Sequence, residues 1–564
     1  MTLHEKTWKH RDPDPSVVDR LCQEIDCHPI MATLLVNRGI VDAHEARRTL
    51  EPGVEDLHSP ESLAGGEAAI ERLAAAVEAN ETISVYGDRD VDGVAGTAVL
   101  VTLLQDLDAS VGYHIPGKWD GYGVHESALE TLARRGTDLV VTVDCGTTAC
   151  DALSVARDCG MDVIVTDHHP PEGTLPAVHS CLNPHRPDCQ YPNSGLCGAG
   201  VAFKLAEGLV MRRTPVNREE FLDYALPLTG LATVADRAPL TPENRTLVHA
   251  AYERLDQFPL DGFRTVVEKY SVDSIRDFGW TLAPLLNAAR EDTAGHLMLQ
   301  VLIARDRAQV ESLLETLESY RTDRKEERRE WLRTVERLVT EQAAPETDDV
   351  IVLESEEYVG NAPGKIAERY GKPVIAYYSK GNGYRGSVDI DANIDIRAVV
   401  EACSDLVEEV WGHAGAPKFF VSADNASAFV DQFRDELFDR YSTDSLRPQV
   451  DIDAILDPDS VGRDLISVIE ALRPFGEGFD EPRFLIEGLE IAEVERFGVD
   501  NEHVALVPDT APCRCVWWNG VDAWTTHDVP GRFDVVGGLT WDDVRETVSV
   551  SVVDLRQADG DAIS

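Results

Sequence analysis

Short apolar runs rich in β-branched residues alternate with longer helical stretches from about residue 63 to 295. "GGEAAIERLAAAVEAN" reads as helix, "TISVYG" as strand and "VAGTAVLVTLLQDL" as helix again. "DLVVTVD" (strand), "ACDALSVARDCG" (helix) and "MDVIVTD" (strand) continue the series. Short strands separated by helices predict a parallel, doubly wound sheet. Polar residues cluster just after the strands, at the carboxyl ends where such sheets place ligands.

Outside that region the pattern changes. Residues 1–62 read as an N-terminal helical segment that includes "NRGIVDAHEARRTL". Residues 296–345 carry "AQVESLLETLESYRTDRKEERREWLRTVERLVTEQ", charged throughout and free of Gly and Pro, which predicts a long connecting helix. The alternative is an arm of a coiled-coil dimer. A second, smaller α/β domain spans 346–442, beginning at "DDVIVLES". Residues 443–564 alternate apolar and polar over short segments such as "ETVSVSVVDL", which predicts a small β-barrel or sandwich.

A chain of 564 residues exceeds one hydrophobic core, in keeping with several domains. Its hydrophobic content of 43% is that of a globular protein. No stretch approaches the roughly 20 apolar residues of a membrane span. The opening "MTLHEKTWKHRDPDP" has no apolar signal core, so a cytoplasmic protein without a membrane partner is expected. Eleven scattered cysteines fit reduced thiols better than a disulfide framework. Neither Cys513-x-Cys515 nor the Cys181, Cys189, Cys197 series has zinc-site spacing.

The net charge is −49, from 101 acids against 52 bases. In ordinary salt this repels nucleic acid and membranes. At molar salt the Debye length falls to about 3 Å and distant repulsion nearly vanishes. An acidic surface poor in Lys is what a halophile's cytoplasm favours, so the charge does not exclude a nucleic-acid substrate.

Four segments share one design, an apolar strand ending in acid or imidazole. They are "VYGDRDVDG" with Asp88, Asp90 and Asp92, "VVTVDCGTT" with Asp144, "VIVTDHHPPEG" with Asp167, His168 and His169, and "LATVADRAPL" with Asp236. In a parallel sheet these ends lie side by side. Two carboxylates about 4 Å apart repel by about 4 kcal/mol at an effective dielectric of 20. Divalent cations resolve that conflict, taking carboxylate and imidazole as ligands, and this donor set suits Mn²⁺ or Mg²⁺. Asp90 and Asp92 are expected to serve different ions, with Asp144 between them as a bridge. Two ions about 3.5–4 Å apart suit phosphoryl hydrolysis.

Each piece also has a structural reading. D-x-D-x-D-G fits a calcium loop, but no Glu stands at the sixth position after Gly93. Asp144 suits a helix N-cap, and Asp236 a pairing with Arg237 or Arg245. The His168-His169 pair alone is commonly structural. What favours chemistry is the recurrence of the design in four segments.

"DHH" at 167–169, "DRDVDG" upstream and "TVDCG" between them resemble the DHH phosphoesterases, and the RecJ-like branch more closely. "HIPGKWDGYGVHESAL", "LNPHRPDCQYPNSGLCGAGVAFKLAEGL", "ATVADRAPLTPENR" and "LAPLLNAARE" continue that likeness. "PGKIAERYGKPVIAYY" and "WGHAGAPKFF" resemble the DHH-associated domain, and "LRPFGEGFDEPRFLIEGLEI" the opening of the C-terminal OB-like domain. The resemblance covers nearly the whole chain. It implies a 5′→3′ single-stranded-DNA exonuclease of DNA repair, recombination or replication, using two Mn²⁺ or Mg²⁺ ions. By motif position Asp90, Asp92, Asp144, His168 and Asp236 hold the metals, and Asp88 is the motif's first aspartate. His169 meets the scissile phosphate, Asp167 orients the histidines, and water rather than a side chain attacks. Lys118, Arg385, Ser387 and His413 are the expected substrate contacts.

The chain departs from the family pattern in places. Trp411 stands for the first of two glycines before His413, Pro417-Lys418 for Ala-Gly, and Asp389 for a second Arg. Tyr86 replaces a common His, and "GFDEP" a more usual Asn-Pro form. Trp517, Trp518 and Trp524 either stack on bases or fill the barrel core. RNA is a further candidate substrate. A single-strand-binding protein or the GINS complex is a candidate partner. Two rival functions remain: a non-catalytic replication-fork scaffold on GINS, and a phosphodiesterase or pyrophosphatase for small molecules such as cyclic dinucleotides.

Overall fold

The computed structural model describes residues 6–117, 120–121, 123–212, 215–272, 274–288, 294–499, 501–509, 511–524 and 531–558. The chain divides into two compact units. One comprises residues 40–322 with 470–481, the other residues up to 39, 323–469 and 482 onward.

In the first unit five parallel strands form one sheet: β1 (Ile83–Gly87), β2 (Val111–His114), β3 (Leu139–Val143), β4 (Asp162–Thr166) and β5 (Ser180–Leu182). Their order is β2-β1-β3-β4-β5. Every residue of β1 and β3 is buried, as near-continuous apolar strands covered on both faces should be. The chain runs from β1 outward to β2, then returns past β1 to β3, so the order reverses between β1 and β3. At that point crossover connections leave opposite faces of the sheet and open a crevice.

Helix α1 (Val91–Asp106) is buried from Val91 to Leu104 and packs against α2 (Gly198–Met211) and α3 (Arg218–Ala235). Such a helix, apolar all round, belongs in a core. The "LATVA" run is the last turn of α3, not a strand. Its β-branched residues suggest a strand, but apart from Asp223 the residues from Phe221 to Thr233 are buried together as one helix within that core.

The expected connector is two helices, Ala294–Ile303 and α4 (Arg307–Gln342). The break falls where the Asp306 carboxylate accepts the Ala308 N–H at 3.0 Å, starting a new helix. The two-unit boundary falls within α4, between Thr322 and Asp323.

Among the described residues the second unit holds two larger sheets and one two-stranded sheet. The first combines β6 (Ile351–Ser355), β7 (Val374–Lys380), β8 (Gly383–Asp389), β9 (Val407–His413) and β10 (Ala416–Ser422) in the order β9-β10-β8-β7-β6. Only the β6–β7 pair is parallel. The second combines β11 (Ala454–Leu456), β12 (Phe484–Phe497), β13 (His503–Pro508), β14 (Cys513–Trp517), β15 (Gly531–Asp542) and β16 (Thr547–Gln557). Its order is β11-β12-β13-β14-β16-β15, and β15 also pairs with β12, closing a small barrel. The N-terminal stretch is not wholly helical, since Thr7–His10 pairs in parallel with Gln449–Ile452. Trp517 and Trp524 are buried in this unit, whereas Trp518 is 57% exposed. All eleven cysteines are free thiols. Among the described residues no helix is long and apolar enough to cross a membrane.

Candidate metal and catalytic centre

Strand β1 ends at Gly87, where nothing larger fits. A Cβ on Gly87 would lie 2.0 Å from Thr97 Oγ1. Asp88 follows, buried, its N–H donating to Val143 O at 3.0 Å and so tying the loop to the end of β3. The chain then turns at once into α1. Asp90 is its N-cap, accepting the Gly93 N–H at 3.3 Å, and Asp92 lies in its first turn. The segment is therefore not extended, and strand geometry does not set where these side chains point. Asp90 and Asp92 still diverge, because one caps the helix while the other turns back within it.

Asp92 reaches across to α2. Its two oxygens accept the Gly198 and Ala199 N–H groups, each at 2.7 Å. Those N–H groups lack helical partners and carry the positive end of the helix dipole, which suits a carboxylate. Asp144 follows β3 with φ +62°, an unusual conformation for a residue with a side chain. Its N–H donates to Thr166 O at 2.9 Å, and its buried Oδ1 makes no hydrogen bond among the described residues.

After β4, His168 points its Nε2 at three carboxylates: Asp144 Oδ1 at 3.2 Å, Asp236 Oδ2 at 3.7 Å and Asp92 Oδ2 at 3.8 Å. His169 is half-exposed and places Nδ1 2.8 Å from Asp167 Oδ1. Asp167 also accepts the N–H groups of Thr147, His168 and His169. Asp236 is the C-cap of α3 rather than the end of a strand. A carboxylate at a helix C-terminus faces the negative end of the dipole, so it is there for something other than helix stability. Among the described residues it makes no ion pair with Arg237 or Arg245.

Three overlapping groups result, each with ligand atoms within 4.8 Å of one another: Asp88, Asp90 and Asp144; Asp92, His168 and Asp236; Asp144, His168 and His169. The crowding moves the titrations. Burial, then Asp92 and Asp90, push the Asp144 carboxyl well above its ordinary range. Burial raises Asp92, and burial with Asp92 and Asp90 raises Asp236 to about 7. Asp167 goes the other way. Burial would raise it, but its bonds to His169 and to backbone N–H groups hold it below the usual carboxylate value. Its partner His169 is raised to about 9, first by that hydrogen bond, and so is a cation at neutral pH. Carboxylates this crowded, with a buried oxygen lacking a hydrogen bond, fit divalent cations as their natural counter-charge.

Several supporting residues carry no mark in the sequence. Asn183 is buried and donates to Thr147 Oγ1 and His169 O, both at 2.8 Å, which fixes the His169 loop. Gly198 lets α2 approach Asp144, since a Cβ there would sit 2.5 Å from Asp144 Cβ. The "GAG" at the start of α2 is the available signal. Tyr86 is buried, its hydroxyl donating to Gly123 O and accepting the His125 N–H. It braces a loop and is no ligand.

Of the expected substrate contacts, Arg385, Ser387 and His413 belong to the other unit. Arg385 and Ser387 lie on β8. The Arg385 guanidinium stacks 4.4 Å over Trp411, and the Ser387 hydroxyl donates to Asp389 at 2.7 Å. Lys118 and the side chain of His413 lie outside the described residues.

A parallel sheet whose switch point gathers aspartates and a His-His pair defines a DHH-type domain, and residues 82–229 match the DHH family, N-terminal domain. Residues 452–553 match the RecJ OB domain. The chain belongs to the RecJ family. It is 30% identical over 486 residues to the single-stranded-DNA-specific exonuclease RecJ of Escherichia coli, covering 81% of this chain and 83% of the relative. With RecJ of Bacillus subtilis it shares 28% over 553 residues, 96% of this chain and 69% of that one. RecJ of Thermus thermophilus, crystallised with Mn²⁺, superposes with a TM-score of 0.79 at 27% identity, over 98% of this chain and 80% of that one. Its Mg²⁺ complex gives 0.73 at 25% identity, over 98% and 79%.

Proposed function

We propose that this protein is a metal-dependent exonuclease that removes nucleotides from the 5′ end of single-stranded DNA in the cytoplasm. The observation that carries the reading is the meeting of Asp88, Asp90 and Asp144 with Asp92, His168 and Asp236 around the switch point of the sheet. Asp90, Asp92, Asp144, His168 and Asp236 would hold two Mn²⁺ or Mg²⁺ ions, with Asp88 beside them in the carboxylate group. Bound there, the ions supply the polarisation of the phosphate and the activation of water that hydrolysis requires.

The chain's own residues do the rest. Asp167 accepts from His169 Nδ1, which fixes the ring and keeps it protonated. The His169 cation would then supply positive charge to a scissile phosphate. Buried Asp92 is oriented by the N-terminus of α2, so its carboxylate does not swing. Arg385, beside Trp411, would meet a phosphate bidentately.

The test is an assay at molar KCl with Mn²⁺ and end-labelled single-stranded DNA and RNA, beside an Asp144→Ala control. Progressive shortening of DNA from the 5′ end by the wild type alone is expected. Oligonucleotides left intact by both proteins would sink the nuclease reading, and cleavage of cyclic dinucleotides alone would replace it. A single-strand-binding protein and GINS are the partners this reading suggests, which co-elution at molar KCl tests. GINS binding without hydrolysis of any substrate would favour a scaffold.

A further inference from the structure

One residue beyond Asp236 a pocket of about 560 Å³ opens, within the same unit and outside the metal cluster. That volume is in the range of small-ligand sites. Arg237, Arg276 and Arg473 line it, together with Trp280 and Phe475. Among the described residues none of these three guanidinia makes an ion pair, although Glu477, Asp480 and Glu481 line the same pocket. In a chain with 101 acids and 52 bases, cations left unpaired in one place are the exception.

The aromatic side is equally distinct. Trp280 is 70% exposed, the most exposed Trp among the described residues. The Arg276 guanidinium lies 5.1 Å from its ring centroid, and that of Arg473 lies 5.8 Å from Phe475. Trp280 stands in a single π-turn, Phe278–Leu282, and Arg237 has φ +57°. Both conformations recur at functional sites. The floor is built rather than incidental. Buried Arg245 donates to Pro474 O at 2.6 Å and to Leu472 O at 3.1 Å, and stacks 3.8 Å over Phe479. It thereby holds the Arg473–Phe475 turn against the helices.

We propose that this pocket is a nucleotide subsite for the single strand, deepening the nuclease reading on which it rests. Trp280 stacks one base, and Arg276 and Arg473 bind the phosphates on either side of it. Arg237 links the subsite to Asp236, so the strand is gripped beside the scissile bond. Stacking suits a high-salt cell because it does not depend on phosphate charge.

Binding of a dye-labelled dT strand of about 15 nucleotides is measured by anisotropy in EDTA, over a series of KCl concentrations. Working without metal separates binding from hydrolysis. Trp280→Ala is expected to weaken binding about 5- to 150-fold, and Trp280→Phe to restore most of it. The pair Arg276→Gln with Arg473→Gln is expected to flatten the slope of log affinity against log salt by about 1.4, at roughly 0.7 for each phosphate no longer held. Melting curves check that each variant is folded, and if Trp280→Ala is not, the arginine pair decides. Wild-type affinity in Trp280→Ala, or an unchanged salt slope in the arginine pair, overturns the proposal. So does tryptophan quenching by dTMP alone as tight as by the strand, which makes the pocket a free-mononucleotide site. A wild type that binds the strand but never cuts it counts against the nuclease reading and not against the subsite.

Discussion

Gly198 and Asp144 touch so closely that a methyl group on the glycine would stand 2.5 Å from Asp144 Cβ and 2.6 Å from its Oδ1. The same glycine donates its N–H to Asp92. One backbone position thus fixes two of the carboxylates. Gly198→Ala is expected to displace Asp144 and to cost about 1–3 kcal/mol of stability, as overpacking does. Exonuclease activity should fall much further than stability. Thermal melts read beside Mn²⁺-dependent DNA cleavage check this, and a variant with normal activity would contradict the close packing.

Asp236 tests the electrostatics of the cluster. Its folded carboxyl titrates near 7, above its ordinary 3.8. The folded state therefore holds a proton that the unfolded chain releases, and this favours folding fully below 3.8 and is lost as pH rises through about 7. In EDTA, Asp236→Asn should melt higher than wild type at pH 8, with the gap closing toward about pH 4. Added Mn²⁺ should reverse the order, because only the wild type keeps the full ligand set. Equal metal-free melting temperatures at pH 8 would show that the carboxylates do not repel as their spacing implies.

How legible this centre is in the sequence depends on the residue. Asp88, Asp144 and the DHH run follow apolar strands, and a short apolar strand announces itself. Asp236 reads as the end of a strand, yet the β-branched "TVA" before it closes a helix buried on all sides, where packing overrides local preference. Residues two apart in a strand share a face, so strand geometry gives no separation of Asp90 from Asp92. A helix starting at Val91 produces the divergence instead. Asn183 and Gly198 are invisible as site residues because their work is done by backbone approach and by partners distant in sequence. The Arg237–Trp280–Arg473 pocket joins segments that lie far apart in the sequence, which no local pattern reveals.

Asp167 acts through His169. Replacing it with Asn removes the charge that raises the imidazole to about 9. The histidine pKa should then drop toward its ordinary value, so its cationic form is lost at lower pH. Apparent Mn²⁺ affinity should weaken about 10- to 100-fold, the usual cost of losing a carboxylate that orients a ligand loop. An activity–pH profile whose alkaline limb moves to lower pH, with imidazole resonances followed by NMR, checks both effects. An unmoved alkaline limb would mean that His169 is held by something other than Asp167.

Stability of the same unit rests partly on an ion network away from the metals. Lys204 on α2 is fully buried, its ammonium 3.0 Å from Glu243 and 3.4 Å from Glu207, and it donates to His58 O at 2.8 Å. Glu243 also accepts from Tyr191, Asn193 and the His58 N–H; against the pull of burial, the Lys204 charge first and then the Tyr191 and His58 bonds hold its carboxyl below the ordinary glutamate value. Removing the cation leaves carboxylates buried without their counter-charge. Lys204→Met is therefore expected to cost about 3–5 kcal/mol. Adding Glu243→Gln should return part of that loss, because the second change removes one of the stranded charges. Chemical denaturation at fixed molar KCl measures both steps. If the double variant is as unstable as the sum of two independent losses, the charges are not coupled and the network is packing alone.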